Sequence, residues 1–200
     1  MYNKTIFQRC FPFKGWCGFK NIKYIPRYFR SLHFLIKNGY DEYAVWDTFS
    51  WFQTTMRDIL LKYKKGHCGS PIIIENYDES KQTENEKQWD EIINRMIFLL
   101  GEMDEDTCQK VNPYSDEYDR AYSDFTKKYG FHGEKLKTEA ELLEEKTNGY
   151  HIHHTMGEVN EYKDIQERYL KEEQNLYNYR AACKDEFLSL FAKYYFCLWD

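Results

Sequence analysis

Apolar residues recur every three or four positions along most of the chain, which is the spacing of amphipathic helices. Long helices are predicted near 41–65, 84–104 and 157–197, and shorter ones over Pro26–Gly39, over Ser115–Tyr129 and after Thr138. The three long helices carry the strongest apolar stripes. We therefore expect them to form the core.

The pattern Thr-x-x-Glu occurs at three predicted helix starts. In such a capping box, the threonine and glutamate side chains each accept a hydrogen bond from the other residue's backbone N–H. The three copies are Thr83–Glu86, Thr138–Glu141 and Thr155–Glu158. Each copy is predicted to begin a helix.

One stretch, residues 66–82, lacks a helical period, and its Pro71-Ile-Ile-Ile run fits either a short strand or a buried loop. With only ten glycines and four prolines in 200 residues, a fold of many short strands is disfavoured. We predict an all-α fold: a single-domain helical bundle over 26–200 with a long carboxy-terminal helix. A basic, aromatic arm over 1–25 precedes it.

Charge is distributed unevenly along the chain. Residues 1–40 contain eight Lys/Arg and no Asp or Glu, whereas the remainder contains 20 basic and 33 acidic residues. This asymmetry suggests an anionic partner near the amino-terminal end. The alternative is that the basic segment packs on acidic helices of the same protein or of a second copy.

Several classes of protein are disfavoured by absent signals. No stretch reaches the eighteen apolar residues of a membrane span, and we expect no membrane partner. No signal peptide is apparent, and the six cysteines form no Cys-x-x-Cys pair, which indicates reduced thiols. Gly-x-Ser-x-Gly and glycine-rich phosphate loops are also absent. We predict no catalytic residues and no cofactor.

The segment GYHIHHTMGEVNEYKD, residues 149–164, holds the densest cluster of histidines and acids. Two histidines and a carboxylate would suit zinc. The order is not His-Glu-x-x-His, however, and Glu158 already has a capping role. We therefore predict that His151, His153 and His154 form no obligate metal site. An alternative is a metal-dependent all-α nucleotide hydrolase, in which Glu158-x-x-Glu161-x-x-Asp164 would face a second acidic pair such as Glu84 and Glu91.

Much of 37–200 resembles a family of uncharacterised accessory proteins of tailed bacteriophages and prophages, with G-Y-S-x-x-D-x-W-x-x-D at a helix start, a Gly/Pro loop and W-x-x-I-x-x-x-M. The matching residues are Gly39, Tyr40, Trp46 and Asp47, then Trp89, Ile92 and Met96. The chain departs from the pattern at Tyr43, where an acidic residue is usual, and at Thr48-Phe49. The resemblance implies a phage origin and action in the cytoplasm of an infected bacterial host, but no activity.

Small phage accessory proteins without catalytic motifs often act as counter-defence factors, and by this analogy we predict a protein that sequesters a nucleotide immune signal. Tryptophans would stack the base and arginines would hold the phosphate. The candidate ligand-binding residues are Arg27, Arg30, Trp46, Asp47, Trp51, Arg57, Trp89 and Arg95. The alternative function is a protein-binding inhibitor of a host enzyme. A nucleic-acid partner is not expected.

Aromatic residues make up 18% of the chain, which is more than one modest core can bury. The tail YYFCLWD, the arm and the outer face of the Trp51 helix are all rich in them. Exposed apolar patches of this extent usually mark interfaces. We therefore predict a homo-oligomer, with a two-fold dimer as the expected form.

Overall fold

The computed structural model describes residues 25–40 and 43–198, and all regular structure in these ranges is helical. The α-helices are α1 (Ile25–Asn38), α2 (Tyr43–Trp46), α3 (Thr48–Gly66), α4 (Gln82–Glu102), α5 (Ser115–Tyr129), α6 (Glu139–Asn148) and α7 (Asn160–Tyr194). Short 3₁₀ turns cover Glu134–Leu136, Met156–Glu158 and Tyr195–Cys197. The predicted all-α class and the long carboxy-terminal helix are confirmed. The predicted arm falls almost entirely on residues 1–24, outside the described residues.

Backbone contacts divide the chain into two compact units. Unit 1 contains residues up to 104 and the chain from 193 onward, and unit 2 contains 105–192. The single helical domain expected from the sequence stays a prediction.

Unit 1 is organised around Trp89, which is completely buried. Its indole N–H donates to the hydroxyl of Tyr63, 3.2 Å away, and Tyr194 packs edge-on against its ring. The end of α3 thus meets the start of α4, whereas Arg57, earlier in α3, lies beside Gly101 near the end of α4. The two helices therefore run antiparallel. Burial of a large indole with a satisfied N–H makes this contact the main anchor of the pair.

The connection between α3 and α4 is a loop without strand structure in residues 67–81. Ile74 is buried in it, whereas Ile72 and Ile73 are exposed. Asn85 holds the loop to α4, because its amide donates to the Asp78 carbonyl at 2.7 Å and accepts from the Asp78 N–H at 3.3 Å. Of the two sequence alternatives, a loop forms and not a strand, but only one of its three isoleucines is buried.

Unit 2 has its own core around Phe125 on α5. The other buried members are Met156, Tyr162 and Ile165. Beside this core, Asn112 joins the start of α5 to α7. Its side-chain amide donates to the Tyr169 carbonyl at 3.1 Å and to Glu173 at 2.9 Å, and its oxygen accepts from the Tyr114 N–H at 3.0 Å.

Two predicted helix boundaries are wrong for identifiable reasons. The helix expected over 41–65 is interrupted at Asp47, where φ −135° and ψ 66° break the helix and the carboxylate caps α3 by accepting from the Ser50 N–H. The capping box at Thr83 does not form, since α4 already begins at Gln82. Glu86 instead accepts from the Gln82 side chain, one turn earlier. The boxes at Thr138 and Thr155 are confirmed.

Among the described helices, none combines the length and apolar character needed to cross a membrane.

The central role of Trp89 predicts a large difference between two tryptophan substitutions. Trp89→Ala should lower the free energy of unfolding by about 3–5 kcal/mol, because it leaves a cavity in the core. Trp46 is 89% exposed, so Trp46→Ala should change it by only about 0.5 kcal/mol. Urea denaturation, at a protein concentration where a single species is present, measures both. Equal losses would contradict the assignment of Trp89 as the anchor.

Candidate functional site

In the histidine segment of unit 2, His154 lies between the glutamates of the two confirmed capping boxes. Glu141 caps the start of α6, where its carboxylate accepts from the Thr138 N–H at 2.7 Å. Glu158 does the same for the turn that leads into α7, accepting from the Thr155 N–H at 2.7 Å. Each carboxylate therefore caps a helical segment and also pairs with His154.

The ring of His154 is only 15% exposed and has a carboxylate near each nitrogen. Nδ1 lies 2.6 Å from Glu158 Oε2 in a hydrogen bond. Nε2 lies 3.3 Å from Glu141 Oε1, but its N–H direction is not aligned for a hydrogen bond, so that contact is one of charge. The hydrogen bond to Glu158, assisted by the charge of Glu141, raises the pKa of His154 above its usual range.

The loop before α6 holds His154 in place. The His154 N–H donates to the His132 carbonyl at 3.0 Å. Gly133 adopts a left-handed φ of +66°, and a Cβ built on it would lie 2.7 Å from the His154 Cβ. Only glycine combines this backbone conformation with so close an approach.

The other histidines of the segment have different surroundings. His151 is exposed, 3.9 Å from Glu145, and the His153 ring packs against that of His132 with centroids 4.1 Å apart. Glu145 pairs with Lys137 and accepts from the Ile152 N–H.

The acidic residues that follow are also paired. Glu161 lies 3.2 Å from Lys128, and Asp164 lies 2.9 Å from Arg168. Within the described ranges, no three His, Cys, Asp or Glu side chains are grouped so that they could hold a metal. The arrangement is a network of capped helix ends and ion pairs.

The ligand-binding residues predicted in unit 1 fall into different environments. Trp89 lies in the core and has no open ring face on which a base could stack. Asp47 caps α3. Trp46 is fully displayed, and Trp51 is half-buried. The guanidinium of Arg95 lies 5.2 Å from the ring of Phe98.

Two further candidate arginines belong to α1. Arg30 is exposed on that helix. The side chain of Arg27 lies outside the described residues.

Arg57 is the predicted residue with the most unusual surroundings. Its Nε is buried without a hydrogen-bond partner among the described residues, and so is Nε2 of Gln53, which is 2% exposed. The two side chains lie four residues apart, on one face of α3. Gln53 was not predicted from the sequence. The available signal was a glutamine at the helical spacing of the buried stripe that includes Leu60.

Unit 1 also displays a set of large apolar side chains on α1, α2 and α3, here called the apolar surface. Its members are Phe29, Ile36, Val45, Trp46, Phe49 and Ile59, each more than half exposed.

Comparison with known proteins adds no relative: no family model, no curated protein and no solved structure matches the chain. The phage-family resemblance stays a prediction.

The close approach of Gly133 to His154 predicts a difference between two glycine substitutions. Gly149 has a similar φ of +72° but open space where a Cβ would be, so Gly149→Ala should cost only about 1–2 kcal/mol of backbone strain. Gly133→Ala carries the same strain plus a clash with His154, and should cost about 1–3 kcal/mol more. Thermal and urea unfolding of the two variants measure the difference. If both variants lose the same stability, the packing of the loop on His154 is not as described.

Proposed function

We propose that the protein is a non-enzymatic binding protein that sequesters a phosphate-bearing small molecule, such as a nucleotide. The observation that carries the proposal is the pair of buried donors on α3, Gln53 Nε2 and Arg57 Nε, for which the described part of the chain supplies no acceptor. Leaving a buried donor unsatisfied costs about 1–3 kcal/mol. Such groups in folded proteins call for an explanation by an unseen water, ion or ligand.

The chemistry of the two donors favours an anionic acceptor. Arg57 brings a permanent positive charge, and hydrogen bonds from a guanidinium to phosphate oxygens are stronger than neutral ones. Gln53 adds a neutral donor on the same face of the helix. On α4, Gly101 has no side chain opposite Arg57, and a Cβ there would lie 3.6 Å from the Arg57 Nε. That distance is an ordinary van der Waals contact, and it shows that the guanidinium lies directly against α4.

The proposal of sequestration, in place of turnover, rests on the sequence, which contains none of the catalytic signatures sought. An exposed aromatic face such as that of Trp46 is suited to stacking on a base. The further proposal of a phage counter-defence role rests on the family resemblance. A protein that acts by sequestration needs high affinity and no chemistry.

The donor pair predicts that Gln53→Met has opposite effects on two measurements. Without ligand, the variant should be more stable than wild type by about 1–3 kcal/mol, because a buried unsatisfied donor is removed. In a thermal-shift screen with inorganic phosphate and nucleotides, it should lose the ligand-induced rise in Tm that the wild type shows.

Arg57→Met should likewise lose the ligand response. The matched control is Lys62→Met, which removes a positive charge from an exposed position of the same helix and should keep it. A ligand response preserved in Gln53→Met and Arg57→Met would place the phosphate site elsewhere. A product formed from the nucleotide would replace sequestration by catalysis.

A second candidate function is supported by the apolar surface: binding of a protein partner, with a second copy of this chain as the first to test. Ile36 is 76% exposed, Val45 65% and Trp46 89%. Exposure of several large apolar side chains is typical of interfaces. Self-association would bury them without any other protein.

Self-association through this surface predicts a mass above the 24.4 kDa of one chain in light scattering at micromolar concentration. Trp46→Glu should return the mass to one chain, because a charge cannot be buried cheaply in an apolar interface. Val111→Glu, at a 75% exposed position in unit 2 and outside the apolar surface, should leave the mass unchanged. A wild-type mass of 24.4 kDa would contradict the dimer and favour a different protein as the partner.

A further inference from the structure

We propose that His154 is a proton-operated clamp: its protonated ring holds the start of α6 to the turn that begins α7, and loss of the proton releases the two. This device concerns unit 2, and it is independent of the ligand proposed for α3.

The number of protons on the imidazole decides which neighbours it attracts. A neutral ring carries one N–H and one lone pair, whereas the protonated ring carries two N–H groups. His154 has Glu158 at 2.6 Å from one nitrogen and Glu141 at 3.3 Å from the other. A neutral ring that donates to Glu158 would leave an unprotonated Nε2, with its negative lone pair, 3.3 Å from the carboxylate of Glu141. Only the protonated ring is attractive to both.

The two carboxylates belong to different segments of unit 2, which makes the contact a connection. Glu141 caps α6 through the Thr138 N–H, and Glu158 caps the turn before α7 through the Thr155 N–H. These bonds are local and do not need His154. Loss of the His154 proton therefore leaves each capping hydrogen bond in place but removes the attraction that holds the two capped segments together.

Two other carboxylates of the surrounding elements have different partners. In the loop before α6, Glu134 accepts from the His132 N–H at 3.2 Å, and on α6 Glu145 pairs with Lys137. His132 and His153 are the neighbouring titratable rings, and they pack against each other. Among the described residues, Glu141 and Glu158 are the carboxylates paired with the His154 ring.

The signs of the pKa changes give the pH range in which the clamp acts. Because the pKa of His154 is raised, its stabilisation is complete below the ordinary histidine value and is lost as pH rises through the folded-state pKa. The capping bond from Thr138, with His154 nearby, lowers the pKa of Glu141, and the bond from His154 lowers that of Glu158. Their stabilisation is present above the ordinary glutamate value and is lost only in stronger acid. The clamp is therefore closed in mild acid and opens on the alkaline side.

The test is an NMR titration of the full chain that follows the His154 ring signals and the hydrogen exchange of two backbone amides. The amides are those of His154, bonded to the His132 carbonyl, and Leu142, bonded to the Thr138 carbonyl. Exchange rates are corrected for their intrinsic dependence on pH. The variants are Glu141→Gln, which can still form a capping box but has no charge, and Glu139→Gln, which removes a charge from the same first turn of α6.

In the wild type, protection of both amides should fall several-fold as His154 loses its proton. Glu141→Gln should lower the midpoint of the His154 titration, whereas Glu139→Gln should leave it nearly unchanged. His154→Gln should abolish the pH dependence of protection between mild acid and mild alkali. Equal midpoint shifts in the two glutamate variants, or protection that is constant through the His154 titration, would overturn the clamp.

Discussion

The pairing of buried polar groups is the constraint on which this structure depends. A donor or acceptor removed from water must find a partner inside the protein, or the fold loses stability comparable to that of a whole side-chain contact. Trp89 meets the requirement through Tyr63, and Asn112 meets it through three hydrogen bonds that join the start of α5 to α7. In each unit, the satisfied polar group also fixes which helices lie together. Packing of the aromatic cores then follows.

The same constraint distinguishes the cluster at 149–164 from the buried face of α3. The cluster at 149–164 looks like chemistry because histidines and acids are close in sequence, yet its carboxylates are occupied by helix caps, His154, Lys128 and Arg168. On α3 the opposite holds. Gln53 was not a candidate from the sequence and Arg57 was one of several, but both have buried donors without acceptors among the described residues. Function is therefore better sought where partners are missing than where polar residues are dense.

Local signals in the sequence predicted most of the fold. Apolar periodicity placed every long helix, and α5 has the predicted bounds, Ser115–Tyr129. Two of the three capping boxes formed, because the threonine and glutamate in each are free to satisfy the first turn. The third is absent because the helix begins at Gln82, so Thr83 lies within its first turn and cannot be the capping residue. The break at Asp47 was also missed, because a capping residue within an apolar stripe leaves the helical spacing of the apolar residues unchanged.

The candidate site was less predictable because it depends on contacts between distant segments. Trp89 and Trp46 are both tryptophans on helical segments, but only three-dimensional packing makes one an anchor and the other a displayed ring. Periodicity gives no signal for the lack of a partner at Gln53. The contact of His154 with Glu141, thirteen positions earlier, likewise could not be predicted, because neither capping box indicates that the two helix starts lie side by side.

Binding of an anionic ligand by the donor pair on α3 can be seen in a high-resolution crystal structure grown with inorganic phosphate. We expect tetrahedral density with oxygens about 2.7–3.0 Å from both Gln53 Nε2 and Arg57 Nε. Density for water alone at both donors, or side-chain positions in which both nitrogens bond to protein acceptors, would contradict it.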